Sequence, residues 1–292
     1  MRFQFVANHQ DEFCVHRMCQ VLGISTSGYY AWRKRQPNAR KMANEILLSQ
    51  IQQIHQECRG TYGSPRIHAT LVRKGIVCGL HRVARLMQQS GICAKGKRRY
   101  KQTTQSRPAY SVSPNVLNRM FTANAPNQKW LGDITYLPTG EGWLFLAVVM
   151  DLYSRRIVGW AMAEHMQQEL TLKALHMARK QRKPQPDLLH YTDRGSQYAA
   201  YRYQEILRHH QFQVSMSRFG NCYDNAPMES FFATLKAELA NYGRYRTRQQ
   251  ARAEIFEYIE VFYNRQRRHS SLDYLSPLQF EQKTITSFPS VH

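Results

Sequence analysis

Three acidic residues, Asp133, Asp193 and Glu229, occur in local sequences that favour three different positions in a fold. Asp133 lies inside an apolar strand pattern, where an acidic side chain is unfavourable unless function requires it. Asp193 follows a short apolar run and precedes Gly195, at a strand-to-loop junction where catalytic groups are common. Glu229 lies near the start of an amphipathic helix, and 35 residues separate it from Asp193. Three carboxylates in these positions could converge on divalent metal ions.

Carboxylates are hard oxygen ligands that suit Mg²⁺, with Mn²⁺ as a possible substitute. Two such ions about 3.5–4 Å apart can activate an attacking oxygen and stabilise the leaving oxygen of a phosphodiester. We expect Asp133 to bridge both ions, and Asp193 and Glu229 each to hold one. The nucleophile would be water or a DNA 3′-hydroxyl, so no side chain would become covalently attached to the substrate.

Each carboxylate has an alternative interpretation. Asp151 ends the next strand and competes with Asp133, but the turn that follows makes it the weaker candidate. Asp193 could be a turn-forming aspartate before Arg-Gly. Asp224 could replace Glu229, but the proline three residues later indicates a helix N-cap instead.

The elements expected around these acids form one mixed sheet. Short turns at Gly140-Glu141-Gly142 and Ser154-Arg155 predict three antiparallel strands, and the alternation of strands and helices that follows adds further strands. The predicted strands are 129–137, 143–151, 156–163, the short run that ends at Asp193, and 212–217. The predicted helices are 167–181, 199–210, about 225–241 and about 248–264. This order predicts an α/β fold of the ribonuclease-H-like class, with a mixed five-stranded sheet and flanking helices.

Basic charge is concentrated before this sheet. The 292-residue chain has a formal net charge of +21, and residues 1–125 hold 20 basic but only 4 acidic residues. Such an excess predicts a polyanionic partner, double-stranded DNA, although a basic protein without such a partner is the alternative. No signal peptide or bilayer-spanning apolar run is present, and the six cysteines lack zinc-ligand spacing. We therefore expect no membrane association, reduced thiols and a cytoplasmic location.

Two helix-turn-helix patterns precede the sheet, one in residues 13–35 and a better-formed one in residues 58–93. Either could contact DNA or serve only in packing. The predicted divisions are an all-α N-terminal helical region 1–57, a helix-turn-helix segment 58–93, a basic linker 94–124, a catalytic core 125–242 and a C-terminal helical segment 243–292. The candidate DNA-binding residues are Arg66, His81, Arg82, Arg85, Lys95, Lys97, Arg98, Arg99 and Lys236. Lys236 lies two helical turns after Glu229 on nearly the same face, where it could grip a phosphate or remain solvated.

Several motifs together resemble those of the Asp-Asp-35-Glu transposases. They are most similar to the second-frame (OrfB) transposases of the insertion-sequence-three family, which are related to retroviral integrases. The matching segments are Trp130-x-x-Asp133-Ile-Thr, Tyr191-Thr-Asp193-x-Gly195-x-Gln197, Asp224-Asn225-Ala226-x-x-Glu229-Ser-Phe-Phe, Lys236, Tyr62-Gly-x-x-Arg66-Ile, Arg82-Val-x-Arg85-Leu-Met, Tyr263-Asn264-x-x-Arg267-x-His269 and Ser276-Pro277. One departure is Tyr-Thr-Asp at residues 191–193, where many relatives have His-Ser-Asp.

The resemblance implies a ribonuclease-H-like core, Mg²⁺ dependence, and cleavage and joining of the ends of a mobile element. It implies terminal inverted repeats and target DNA as substrates, a homo-oligomer that brings two ends together, and a bacterial protein at the nucleoid when bound to DNA. An upstream-frame (OrfA) product commonly supplies a further helix-turn-helix and an oligomerisation zipper in this family. The alternatives are a nuclease of the same fold that only hydrolyses, a DNA-binding regulator with an inactive core and, more remotely, a tyrosine recombinase.

Overall fold

The computed structural model describes residues 1–34, 39–96, 113–218 and 222–287. The chain divides into two compact units, Met1–Gln53 and Ile54–His292. Within the described ranges, no helix combines the length and the apolar character needed to cross a membrane. The domain limits expected from the sequence stay predictions.

The first unit is entirely helical. Its helices are α1 (Arg2–Asn8), α2 (Val15–Val21), α3 (Thr26–Lys34) and the first part of α4 (Ala39–Glu57). Val6, Met18, Cys19 and Tyr29 form its buried core. Gly23 connects α2 to α3 with a φ of +61°, a left-handed conformation that glycine adopts without a Cβ penalty. The helix-turn-helix expected in residues 13–35 is therefore present as two helices.

The second unit begins with the other helix-turn-helix segment, which comprises α5 (Ser64–Arg73) and α6 (Leu80–Gln89). Ile67 and Leu71 of α5 are buried, as are the apolar side chains of the α6 stripe, Val83, Leu86 and Met87. Pro65 lies in the first turn of α5, where its missing N–H has no helical partner to lose. The two helices of the pattern expected in residues 58–93 are therefore present, each with a buried apolar face.

The catalytic core predicted from the sequence is a five-stranded sheet in the order β3-β2-β1-β4-β5. Its strands are β1 (Lys129–Thr139), β2 (Gly142–Asp151), β3 (Ile157–Ala163), β4 (Leu189–Thr192) and β5 (Gln213–Met216). The first three strands pair antiparallel, and β4 and β5 run parallel to β1. This topology confirms the predicted ribonuclease-H-like mixed sheet.

Helices α7 (Gln168–Arg182), α8 (Ser196–Ala199) and α9 (Tyr201–His209) cover one face of the sheet. Trp130, Val149, Val158, Leu175 and Leu207 belong to the core between these layers. The approach of α7 to β3 depends on Gly159, because a Cβ at this position would lie 2.2 Å from the Ala174 carbonyl oxygen. Only glycine allows the helix and the strand to pack so closely.

The chain continues through α10 (Ala226–Glu238), α11 (Arg248–Glu257) and α12 (Pro277–Ser287). The single helix expected over 248–264 is α-helical only to Glu257 and continues as a π-helix over Tyr258–Tyr263. Asn264 follows it and bonds both backbone groups of Ile157 in β3, each at 2.9 Å. Part of the Tyr-Asn-x-x-Arg motif thus fastens the C-terminal segment to the sheet edge.

The C-terminal segment also binds the helix-turn-helix segment. The Arg268 backbone N–H donates to the Tyr62 hydroxyl (2.7 Å), and Arg268 Nε donates to Thr70 Oγ1 (2.8 Å). Arg73 Nη2 donates to the carbonyl oxygen of Asp273 (3.0 Å). These contacts join parts of the chain that lie about 200 residues apart, so the two segments are held to one another by specific bonds.

His190 in β4 gives the second unit a pH-dependent stability. Its Nε2 lies 2.7 Å from the Tyr203 hydroxyl, and burial lowers the pKa of the imidazole to about 3. The unfolded chain binds a proton near pH 6.5, whereas the folded chain does not. The contribution of His190 to stability is therefore complete above pH 6.5 and is lost as the pH falls towards 3.

We expect replacement of His190 by Gln, which can still bond Tyr203, to make the free energy of unfolding less dependent on pH below 6.5. Wild-type protein should lose about 1.4 kcal/mol per pH unit through this single group below pH 6, and the variant should lack that contribution. Urea unfolding at several pH values between 4.5 and 7.5 measures the difference. Parallel profiles for the two proteins would show that His190 is not the group responsible.

Candidate active site

The register of the sheet makes Asp133 and Asp193 neighbours. Gly132 of β1 pairs with Thr192 of β4 in a parallel ladder; Asp133 is the next residue of β1, and Asp193 is the first residue after β4. Adjacent strands lie about 4.8 Å apart, and equivalent positions in a parallel pair point to the same face. Gly132 leaves room for this arrangement, because a Cβ there would lie 3.3–3.4 Å from the side chains of Thr192 and His190.

Both oxygens of Asp133 are hydrogen-bonded. Oδ1 accepts from the Ile134 backbone N–H (2.7 Å), and Oδ2 accepts from Asn225 Nδ2 (2.7 Å). Burial raises the pKa of Asp133 well above its usual value, and the negative charges of Asp193 and Glu229 raise it further. The negative charges of Asp193 and Glu229 therefore both disfavour the ionised form of Asp133.

Asp193 lies immediately after β4, half-buried at the loop. Its Oδ1 accepts the Gly195 backbone N–H (2.9 Å), which is the turn contact that the sequence offered as an alternative role. Burial raises the pKa of this carboxyl group as well. Because a carboxylate has lone pairs to spare, the turn bond leaves Asp193 able to serve as a ligand.

Glu229 reaches the site through α10. Asn225, the residue before the helix, touches Asp133, and Glu229 is four residues later on the same helical face. The Glu229 side chain is exposed to solvent over much of its surface. Desolvation of the remainder raises the pKa of its carboxyl group. The helix therefore brings Glu229 close enough for its charge to act on Asp133, while the side chain stays exposed to solvent.

The donor set fits a hard divalent cation in chemical type, since all three groups are carboxylates with mutually unfavourable charge. The part of the chain that the structure describes nevertheless contains no group of three or more His, Cys, Asp or Glu residues arranged to hold a metal ion. Glu229, as the exposed member, would have to approach the aspartates to complete such a site. The assignment of the three acids as ligands remains a prediction.

Lys236 lies near the acids. Its Nζ is 5.1 Å from the centre of the Tyr136 ring, and the side chain is half-buried. Burial lowers the pKa of the ammonium group, while the charge of Asp133 raises it. A fully solvated Lys236 is therefore a poor description, and contact with a phosphate stays a prediction.

The rival acids have structural roles. Asp151 is buried beside Arg182 (3.3 Å) and accepts the backbone N–H groups of Asn127 (2.8 Å) and Tyr153 (3.0 Å). The N-cap role expected for Asp224 is wrong, because Asn225 is the residue at the helix N-cap.

Asp224 is instead held by two guanidinium groups. Arg218 Nη2 (3.0 Å) and Arg119 Nε (2.9 Å) both donate to Asp224 Oδ1, and Asn115 Nδ2 donates to Oδ2 (2.9 Å). The bonds from Arg218, above all, hold the pKa of this buried carboxyl group well below its usual range. These bonds fix the position of Asp224, the residue before Asn225, and so help to place the side-chain amide of Asn225 beside Asp133.

The predicted DNA-binding residues are distributed over several surfaces. His81 and Arg85 are exposed on α6, and Arg82 is half-buried there. Arg66 and Lys95 line a cavity beside α10. Lys97, Arg98 and Arg99 lie outside the described residues. Five cysteines, at positions 14, 19, 58, 78 and 93, are free thiols.

Sequence reasoning missed Asn225 as a contact of Asp133. The available signal was its position one helical turn before Glu229, where a polar side chain would share the face of the acid. The Tyr62–Arg268 bond was also missed, although both residues lie in or beside motifs that were noted. The Tyr62–Arg268 pairing has no local signature, because the partners are far apart in the chain.

Three family models match the chain. Two are described as integrase core domains and cover residues 123–222 and 229–285, and the third, an HTH-like domain, covers residues 42–100. Among solved structures, the HTLV-2 integrase catalytic core domain in complex with magnesium aligns with a TM-score of 0.43 and 15% identity. That alignment covers 55% of this chain and 99% of the viral one.

Curated relatives match over nearly the whole length. The chain is 48% identical over 266 residues to the IS600 uncharacterized 31 kDa protein of Shigella sonnei, covering 91% of this chain and 98% of the relative. It is 41% identical over 287 residues to the transposase InsF for insertion sequence IS3A of Escherichia coli strain K12, covering 98% of this chain and all of the relative. The chain therefore belongs to the IS3 family of insertion-sequence transposases, which carry an integrase core preceded by an HTH-like domain.

Proposed function

We propose that this chain is a DNA transposase that cleaves phosphodiesters at the ends of an insertion sequence and joins the freed 3′-hydroxyl to target DNA. The observation that carries the proposal is that Asp133, inside β1, lies next to Asp193, the first residue after β4, and that the charge of Glu229 also acts on Asp133. The family adds support, since its members named as transposases match the chain over almost all of its length.

Asp133, Asp193 and Glu229 would hold two Mg²⁺ ions, for which Mn²⁺ is a possible substitute. When bound, such ions supply an activated attacking oxygen and relief of charge on the leaving oxygen. The role of the chain itself is to orient the acids: Asn225 holds one oxygen of Asp133, and the turn at Gly195 holds one oxygen of Asp193. Lys236, beside Asp133, would offset the charge of a nearby phosphate.

The proposed partners follow from this reaction. Double-stranded DNA is the substrate, both as terminal inverted repeats and as target. A reaction that joins two ends requires both to be held together, so we propose a homo-oligomer on DNA, with an upstream-frame product as a possible additional partner. The proposed location is the bacterial cytoplasm, at the nucleoid when DNA is bound.

Replacing Asp133, Asp193 or Glu229 by Ala should reduce strand transfer to background while leaving DNA binding in place. The substrate is a terminal-repeat duplex incubated with the protein and Mg²⁺, and the readouts are cut products, joined products and a gel-shift. Asp193→Asn is an informative second variant, because it keeps an oxygen for the turn bond to Gly195. Glu205→Ala, on an exposed position of α9, is the matched control.

Cut products without joined ones from wild-type protein would favour a nuclease that only hydrolyses. Strand transfer retained by any of the three alanine variants would remove that residue from the catalytic set. An absence of all breakage in wild-type protein, with DNA binding intact, would favour the inactive regulator.

Metal binding can be measured separately from activity. We expect Mn²⁺ at 100 times its Kd to stabilise the wild-type protein by about 2.7 kcal/mol, because the cation neutralises carboxylates that oppose one another. Asp133→Asn should lose this response and should be at least as stable as wild-type protein without metal. Thermal unfolding with and without Mn²⁺ gives both values. Equal stabilisation of the two proteins would place the metal elsewhere.

Asn225 should act as a positioning residue for Asp133. Asn225→Ala removes the bond to Asp133 but no helix-capping bond, since the Asn225 side chain makes none. Loss of such a ligand-orienting bond typically costs roughly 10–100-fold in metal affinity or activity. We expect a shift of the Mg²⁺ requirement to higher concentration, with activity partly restored when Mg²⁺ is raised.

Asn225→Asp should be more damaging than the alanine variant, since a third carboxylate would face Asp133. The control is thermal unfolding without metal, which should change little for Asn225→Ala. A loss of activity that no Mg²⁺ concentration restores would mean that Asn225 acts through folding rather than through Asp133.

A further inference from the structure

A cavity of about 560 Å³ lies beside α10, between the helix-turn-helix segment and the C-terminal segment. None of Asp133, Asp193 and Glu229 lines it. The α10 residues that do include Ser230, Thr234 and Ala237, which form one stripe of the helix. The cavity is therefore a second concave site next to the candidate active site, with α10 as the shared wall.

Cationic side chains dominate this cavity. Arg66, Lys95, Arg155 and Arg267 line it, and Glu238 is the one carboxylate among its lining residues in the described chain. We call it the arginine cavity. Both oxygens of Glu238 are already occupied, by Arg267 Nε and Nη2, each at 2.7 Å.

The hydrogen bonds of Glu238 go to Arg267 and the Tyr258 hydroxyl, and its single negative charge also acts on Arg66, against four cationic side chains in the cavity lining. Arg66 lies over the Tyr62 ring at 5.7 Å, and Arg155 Nη2 donates to the Phe121 carbonyl oxygen at 3.2 Å. Burial lowers the pKa of Arg66, and the charge of Arg267 lowers it further. Positive charge therefore remains in excess within a partly desolvated space.

Two buried nitrogen atoms mark where a ligand could bind. Arg155 Nη1 and His269 Nε2 are each buried without a hydrogen-bond partner in the described chain, and both residues line the arginine cavity. An unpaired buried polar group costs about 1–3 kcal/mol, and such groups are uncommon in folded proteins. Burial and the charges of Arg267, Arg66 and Arg155 lower the pKa of His269 well below its usual value, so all three guanidinium groups are near the neutral imidazole.

We infer that the arginine cavity binds a phosphate group, with Arg66, Arg155 and His269 as its contacts. Guanidinium groups match the tetrahedral oxygens of phosphate with paired donors, and excess positive charge favours a multiply charged or backbone phosphate over a neutral ligand. The volume admits more than one phosphate, as a length of nucleic-acid strand requires. Resting on the proposed function, we assign the phosphate to the backbone of a DNA strand that passes between the helix-turn-helix segment and α10.

Hydrogen bonds around the arginine cavity connect the elements that form its walls. Arg268 joins the C-terminal segment to Tyr62 and Thr70, and Arg267 joins the same segment to Glu238 at the end of α10. A strand held in the arginine cavity would thus contact elements that are bonded to one another. It would fix the distance along DNA between the recognition segment and the cleaved bond.

The test uses Arg66→Gln and Arg155→Gln in the full chain, with Arg202→Gln as a control. Arg202 is exposed on α9, outside the arginine cavity, and its replacement removes the same charge. All measurements are made in EDTA, so that catalysis and metal binding play no part. The probes are pyrophosphate, read by thermal unfolding, and a duplex carrying a terminal repeat, read by affinity at several salt concentrations.

Pyrophosphate should stabilise wild-type protein and Arg202→Gln but neither cavity variant. Each cavity variant should also lose about 0.9 in the slope of log K against log salt, the contribution of one phosphate contact, relative to wild-type protein. Arg66→Lys keeps the positive charge but not the paired guanidinium donors. It should bind the duplex with an affinity between those of wild-type protein and Arg66→Gln.

Pyrophosphate binding that depends on the cavity, with an unchanged DNA salt slope, would overturn the DNA assignment and leave a site for a free phosphate compound. Equal behaviour of the cavity variants and Arg202→Gln with both probes would overturn the phosphate site itself. An inactive transposase that still shows the expected binding differences would refute the proposed function without touching this inference.

Discussion

An acidic side chain inside the central strand of the sheet, next to a second acid that immediately follows the neighbouring strand, sets the main constraint on this fold. Asp133 and Asp193 follow Gly132 and Thr192, which pair in the parallel ladder between β1 and β4. Placing two like charges together in a partly buried position is unfavourable, and the raised pKa of Asp133 records that cost. A fold retains such an arrangement only where surrounding contacts enforce it, and the contacts here come from the loop after β4 and from α10.

A buried carboxylate held by arginine lies at each end of α10, and at the C-terminal end the arginine is buried as well. At its start, Asp224 is held by Arg218 and Arg119. At its end, Glu238 is held by Arg267 and by the Tyr258 hydroxyl, which donates at 2.8 Å. Buried pairs add little net stability, but breaking one is costly, so they favour a single position of the helix over alternatives. The exposed Glu229 is thereby carried on a helix whose two ends are held by ion pairs.

The C-terminal segment is bonded to three parts of the second unit. Asn264 bonds the edge strand of the sheet, Arg267 bonds α10, and Arg268 bonds the helix-turn-helix segment. Three residues within one short stretch therefore tie together the sheet, the helix that carries Glu229 and the segment expected to contact DNA. The family motif in this stretch is explained by these bonds as well as by any direct role with the substrate.

Local sequence patterns are sufficient to predict the order of strands and helices, the mixed-sheet class and the three acids of the candidate site. These features depend on local periodicity, turn residues and the cost of an acid in an apolar strand, all of which are visible over a few residues. The short turns between the first three strands were enough to establish the antiparallel meander. Asp133 and Asp193 were recognisable because each interrupts or ends an apolar run.

Which side chains meet depends on the folded chain and is not visible in local patterns. Asp224 looked like a helix cap from its neighbours, but its partner Arg119 lies 105 residues away in the chain. The bond from Asn225 to Asp133 and the arginine cavity likewise bring together residues from distant segments. Local sequence carries no record of such pairings, because their energy depends on a register and on helix positions that exist only once the chain has folded.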